Sequence, residues 1–297
     1  MGGNGEETMQ LTILGARGSE PVSGPEYDLY GGNTTCYAVR TRNDKLLIFD
    51  TGTGLRRLNS VPDQDIYIFW THGHWDHLLG FHQFKPLFDP RRNIYLHGGV
   101  NLEKGTRSTI EVVYSENQSP FQINAHPGIK GIVDFVPGDK VYDDGVTSVD
   151  TFLQPHPLRG SVGYRITEKQ GIGLEPKVLV ISTDHEPDHN GRDQELIERW
   201  NGADLVLSDV QYEPPGVESW NKFMSGWGHG DYISAVNMAA RAHAKNVKGV
   251  HFHPDAEDDY LEGMEGRMSR YALGVAEHYA LSSFEAGLAR QNWTYKI

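Results

Sequence analysis

Cysteine is almost absent: Cys36 is the only one in 297 residues. A single thiol cannot close an intrachain disulfide, and it excludes any metal site built from several thiolates. An ion held by this chain must therefore be held by nitrogen and oxygen. Long apolar runs are also missing, none nearing the roughly 20 residues that span a bilayer. Positive charge is in deficit as well: 27 basic against 40 acidic side chains leave a formal charge of −13. That balance argues against broad contact with a nucleic acid backbone, while a local basic pocket for a small anion stays compatible with it. The first ten residues, MGGNGEETMQ, lack the basic-then-apolar pattern of a secretory signal, so the expected location is the cytoplasm. There is no internal repeat, low-complexity tract or Pro/Gly/Ser-rich linker. The expectation is a disordered leader over 1–9 and one domain over 10–297, with strands and helices in layers.

What the chain does have is short apolar, β-branched runs bounded by Gly, Asp or Pro. Strands are predicted at Gln10–Gly15, Thr35–Arg40, Lys45–Asp50, Asp65–Thr71, Asn93–Leu96, Gly131–Val136, Val146–Leu153, Val162–Thr167 and Lys177–Ser182. Helix and strand then alternate, with helices over Arg192–Trp200 and Asp231–Ala244, strands over Ala203–Asp209 and Lys248–Phe252, and a long helix over about Ala256–Ala289. The stretch Gly98–Gly131 has no clear period.

Fourteen histidines are an unusual stock, and they are unevenly spread. In IFWTHGHWDHLLG (68–80) three histidines and an aspartate fall within six residues, straight after an apolar run. On a helix His72 and His74 would point to nearly opposite sides, but at an extended strand end alternate residues share a face and can converge on one ion. Gly73 permits the tight path, and Asp76 and His77 turn toward a neighbouring ion as the chain enters a helix expected over 76–84. Histidine is the commonest metal-binding side chain.

The H-x-H-x-D-H stretch resembles the signature of the metallo-β-lactamase-fold hydrolases, αββα sandwiches (four layers, α/β in class) with a two-metal site between the sheets. That resemblance implies three more ligands at later strand ends. His156 lies between two strand-like runs, Asp184 ends the run VLVIST, and His251 opens HFHP, with His253 as a competitor. The implied assignment gives His72, His74 and His156 to one ion and Asp76, His77 and His251 to the other, with Asp184 bridging. The ions would be two divalent metals, zinc first, with manganese or iron as alternatives.

Further elements resemble the phosphodiesterase-like branch, which includes the tRNA 3′-processing endonucleases and small cyclic-phosphate phosphodiesterases: GARGS (15–19), GGNTTC (31–36), IFDTGTG (48–54) and GWGHGD (226–231). The resemblance implies that His229 protonates the leaving group, with Asp76 also part of the catalytic set. Gly230 departs from the serine usual there. Asp50 is expected to orient a ligand histidine from behind, Arg17 to reach a substrate phosphate or to be structural, and Cys36 to pack without chemistry. A tRNA substrate is disfavoured by the net acidity and by the short His156–Asp184 interval, already filled by two strands and a turn. The expected function is hydrolysis of a small phosphodiester or cyclic nucleotide through a metal-bound hydroxide, with no membrane or extended nucleic acid partner; a homodimer is compatible. The alternatives are hydrolysis of a lactone, amide or thioester on the same metals, or a sensor module that binds metal without turnover. His185 and His189 read as a solvated rim, and His82, His97, His126, His243 and His278 have no partners nameable from sequence.

Overall fold

The computed structural model describes residues 8–61, 65–99, 105–115, 119–188 and 193–297. The first half holds β1 (Gln10–Gly15), β2 (Cys36–Arg40), β3 (Leu46–Phe49), β4 (Ile66–Trp70), β5 (Ile94–Gly99), helix α1 (Gly105–Val113) and β6 (Ile129–Phe135). The second holds β7 (Lys140–Asp143), β8 (Thr147–Gln154), β9 (Ser161–Glu168), β10 (Lys177–Ser182), α2 (Gln194–Trp200), β11 (Leu205–Asp209), α3 (Tyr232–Arg241), β12 (Asn246–Val250), α4 (Asp258–His278), β13 (Glu285–Leu288) and β14 (Thr294–Lys296). Among the described residues these strands form two seven-stranded sheets, ordered β14-β1-β2-β3-β4-β5-β6 and β13-β12-β11-β10-β9-β8-β7.

Side-chain alternation explains the layering. Leu47, Phe49 and Phe69 pack in one core with Val149, Val162, Tyr164 and Ile166 of the other sheet, while Ile48, Ile66, Ile68 and Trp70 pack in a second core with Phe81, Leu87 and Ile110. Strands buried on both faces must be apolar at every position, hence the unbroken runs in the sequence. Helices α2, α3 and α4 cover the far face of the second sheet through Leu196, Val236 and Met264. The result is the αββα sandwich that the resemblance implies. No helix among the described residues is long and apolar enough to cross a membrane.

Three local expectations fail. The predicted helix over 76–84 is instead two short 3-10 turns, Trp75–His77 and Phe81–Gln83; Gly80, a weak helix former, separates them. The long terminal helix stops at His278, and the chain then pairs β13 with β12 and β14 with β1. Those pairings are non-local, so no periodicity in the segment announces them. Of the expected leader, residues 1–7 lie outside the described residues, but Met9 is fully buried and its N–H donates to Glu168 (3.0 Å). His189 and Arg192 also lie outside the described residues.

Candidate metal centre

Strand direction gathers the site. β3, β4 and β5 run parallel, as do β10, β11 and β12, and β8 shares the direction of β10 because both are antiparallel to β9. Residues just past the carboxyl ends of these strands therefore collect at one edge of each sheet, where open sheets place their binding crevices. Asp50 follows β3, the 72–77 cluster follows β4, His156 follows β8, Asp184 follows β10, Asp209 ends β11 and His251 follows β12. The sheets are tied together there: the Tyr164 hydroxyl donates to the Trp70 carbonyl (2.5 Å), and the Val162 N–H to that of Thr71 (2.9 Å). Asp50, Asp184 and His251 have φ values of 59°, 57° and 63°. Left-handed backbone costs a non-glycine residue of order 1–3 kcal/mol and collects at functional sites.

Two groups of donor atoms result, each lying within 4.8 Å of one another: His72, His74 and His156 in the first, and Asp76, His77, Asp184 and His251 in the second. In the second, His251 Nε2 is 3.2 Å from Asp76 Oδ2 and 3.1 Å from Asp184 Oδ1, while His77 Nε2 is 3.2 Å from Asp76 Oδ2 and 3.4 Å from Asp184 Oδ2. Tetrahedral donors each about 2.0 Å from a zinc ion sit about 3.3 Å apart, so this spacing is that of ligands sharing one ion. Asp184 links the groups, its Oδ1 lying 3.9 Å from His72 Nε2.

The outer nitrogens are occupied. His77 Nδ1 donates to Asp50 Oδ2 (2.8 Å), and His156 Nδ1 to the Gly228 carbonyl (2.9 Å). His251 Nδ1 donates to Gln211 Oε1 (2.9 Å), and His72 Nδ1 to the Thr71 hydroxyl (3.0 Å), which itself donates to Asp50 (2.9 Å). Such bonds fix the tautomer and turn Nε2 inward. Nε2 of His72 and of His77 is then buried with no hydrogen-bond partner. Two orphaned nitrogens beside carboxylates fit missing cations, because an unpaired buried polar atom is otherwise costly.

Charge leads to the same place. Asp50, Asp76, Asp184 and Asp209 are all buried, and among the described residues their ion-pair partners are histidines, not Lys or Arg. Burial pushes the His72 and His74 pKa values down and that of His156 to about 4, so the first group is neutral and ready to ligate. Burial would also lower His77 and His251, but Asp76 and Asp184 more than reverse it, lifting His251 to about 10.

Each sequence-predicted residue can now be placed. The seven residues proposed as ligands lie in the two groups, Asp184 with the second. His253 does not join them: it is half-buried, and its Nδ1 accepts from the Asp255 N–H (3.2 Å). Arg17 is fully buried and structural, which removes the substrate-contact role: Nε and Nη2 donate to the Gly31 carbonyl, and Nη1 to those of His253 and Ala256. Burial lowers its pKa to about 10. Asp50 sits behind His77 as expected, and Cys36 packs in the outer core. His185 is buried, not a solvated rim residue, its ring edge-on to Trp200. His97 stacks on Phe69 (4.8 Å).

His229 lies against the second group, its ring stacked on that of His251 at 4.8 Å, and its Nδ1 donates to Asp209 Oδ2 (2.9 Å). It does not cap α3; Asp231 does, accepting from the Ile233 and Ser234 N–H groups. Asp184, Asp209, His229 and His251 form a third compact group, but its members are already bonded to one another and read as support. A Cβ at Gly230 would lie 2.8 Å from the Asp209 carbonyl oxygen, which explains glycine at that position.

Asp209 is the residue sequence reasoning missed. It holds His229 and also accepts N–H groups from Asp184, Gln211 and Gly230. The available signal was LVLSD, an apolar run ending in a carboxylate like the one before Asp184. Glu186 was missed too; its carboxylate accepts from the N–H groups of Gly226 and Gly228, setting the loop whose carbonyl holds His156.

Comparison with known proteins agrees with this arrangement. The profile of the Metallo-beta-lactamase superfamily matches residues 29–168. No curated protein matches significantly. Among solved structures, a diphosphatase of the PhnP family superposes with a TM-score of 0.66 at 18% identity, covering 98% of both chains. Human tRNase Z, short form, gives 0.63 at 18%, covering 97% of this chain and 99% of that one. Unliganded yeast PDE1 gives 0.66 at 15%, covering 98% and 99%. At such identities the likeness is one of fold. The fold is that of the metallo-β-lactamase superfamily, whose profile matches residues 29–168, and the paired donor groups form a buried histidine–aspartate site suited to binding metal.

Proposed function

We propose that the protein is a two-metal phosphodiesterase acting on a small phosphodiester or cyclic nucleotide. Zinc suits the all-nitrogen-and-oxygen donors: His72, His74 and His156 would hold one ion and Asp76, His77 and His251 the other, with Asp184 available to both. Two divalent ions there would acidify water and offset charge on the phosphoryl oxygens. The rest is work for the chain. Asp50 and Gln211 hold ligand rings in register, and the carboxylates of Asp76 and Asp184 orient the nucleophilic water by hydrogen bonding.

The observation that carries the reading is the His229–Asp209 pair beside the second donor group. With Nδ1–H committed to Asp209, the imidazole presents Nε2 toward the site. A proton at that atom is what an alkoxide leaving group needs, and such donors contribute about 10²–10⁴ in rate. The fold neighbours named as a diphosphatase, a tRNase and PDE1 accord with phosphoryl chemistry, and the net charge of −13 favours a small substrate over an RNA surface.

The test is a panel of cyclic nucleotides, cyclic phosphosugars, bis(4-nitrophenyl) phosphate, lactones and thioesters, run with zinc, manganese and iron. Turnover of phosphodiesters is expected, with His229→Ala losing at least about a hundredfold in kcat at unchanged metal content. Turnover confined to lactones or thioesters would overturn the reading in favour of acyl transfer. Full metal loading with no turnover of anything would favour the sensor role.

A further inference from the structure

The first donor group opens onto a cavity of about 340 Å³ whose floor is His72 and His74 and whose walls include Trp75, Val112 of α1, Leu158 and Arg159. Its chemistry is unlike that of the surface around it. Although the chain carries 40 acidic side chains, among the described residues none that lines the cavity is Asp or Glu, and Arg159 is the only Lys or Arg lining it. Trp75, Val112 and Leu158 are large apolar residues left 46%, 55% and 96% exposed. The Trp75 indole has no ring partner among the described residues, so its face is free to stack. Leu158 is held at φ 67°, a conformation that a bulky side chain rarely adopts. The backbone strain places an apolar side chain at the cavity mouth, where it contributes nothing to the core.

We propose, on the basis of the phosphodiesterase reading, that this cavity is the subsite for one planar, aromatic ester group of the substrate. The phosphate lies over the metal-binding groups, the ring stacks on Trp75 between Val112 and Leu158, and Arg159 faces the anionic side. The volume is at the small end of ligand pockets, which run from about 300 to 1,000 Å³. It admits one ring-sized group such as an aryl or nucleobase. Helix α1, in the stretch where the sequence shows no period, thus selects the substrate without touching the reacting atoms.

Phenylphosphonate and methylphosphonate share the anion and differ only in the ring, so their binding to the zinc-loaded protein by calorimetry isolates the cavity and needs no turnover. Phenylphosphonate is expected to bind about tenfold more tightly, the value of burying roughly half a ring. Val112→Asn, on the exposed face of α1 and neutral, should bring the two ligands to within about twofold with the melting temperature in place. Leu158→Gly should weaken phenylphosphonate severalfold while holding or raising the melting temperature, since it relieves the left-handed strain. Equal binding of the two phosphonates to the wild type would overturn the subsite and leave the metal–phosphate reading intact. A phenyl preference unchanged in both variants would overturn it as well. Failure of both phosphonates to bind would sink the subsite together with the phosphodiesterase reading.

Discussion

Asp50 controls more of the site than its place outside the donor groups suggests. Its Oδ2 accepts from His77 Nδ1 (2.8 Å) and from the Thr71 hydroxyl (2.9 Å), and its Oδ1 accepts from the Thr71 N–H (2.8 Å). Since that hydroxyl in turn accepts from His72 Nδ1, one carboxylate orients a ligand in each donor group. Asp50→Asn changes a single atom, and asparagine tolerates φ 59°. The amide oxygen can keep both Thr71 bonds, because the hydroxyl also lies 3.2 Å from Oδ1. The amide NH₂, however, then faces His77 Nδ1–H, donor against donor. His77 must move its proton to Nε2, the atom turned toward the second group. The loss is one charge-assisted hydrogen bond, about 1.5–3 kcal/mol, together with the wrong tautomer at a ligand. Affinity for the second ion should fall about 10–100-fold, or about 1.4–2.7 kcal/mol, while the first ion, reached through Thr71, changes less. Competition titration with a chromophoric chelator resolves the two equivalents, and melting in excess chelator reads the metal-free cost separately. If Asp50→Asn binds both ions with wild-type affinity, the account of tautomer control is wrong.

Metal should act on stability as well as on chemistry. Zinc at a hundred times its dissociation constant is expected to stabilise the chelated protein by about 2.7 kcal/mol per site, and a melting temperature indifferent to zinc and chelator would contradict the metal assignment. A methyl group at Gly18 would sit 2.3 Å from His251 Nδ1 and 2.8 Å from Gln211 Oε1. Gly18→Ala should therefore cost most of the second ion's affinity with little change in secondary structure by circular dichroism; full occupancy of both ions would refute the close packing. Arg17→Met would leave the buried carbonyls of Gly31, His253 and Ala256 without their donors, at about 1–3 kcal/mol each. Its expected signature is a large drop in denaturation midpoint with an unchanged KM at full metal loading, whereas a raised KM in a stable protein would restore Arg17 to the substrate.

The sequence alone carried the parts of this protein that depend on near neighbours. Spacing two apart at a strand end put His72 and His74 on one face, and runs apolar at every position marked strands buried on both sides. The carboxylate after β10 and the histidine after β12 were legible through the family resemblance, which implies ligands at later strand ends; the structure adds that parallel strands bring those ends to one edge. Tertiary structure decided whatever depends on partners distant in the chain. Arg17 became a buried tie only because residues 253–256 fold back over it, and the terminal strands exist because β12 and β1 offer them edges. Asp209 looked like any carboxylate at a strand end until the connection from β11 to α3 folded back and brought His229, twenty positions on, to 2.9 Å from it. Hydrogen bonds and steric contacts act over a few ångströms in space, whereas periodicity and capping report only on the residues beside them in sequence. The metal-binding motif, and Asp50 behind it, could be read from strand ends; the supports supplied by Asp209 and Gln211 required the fold.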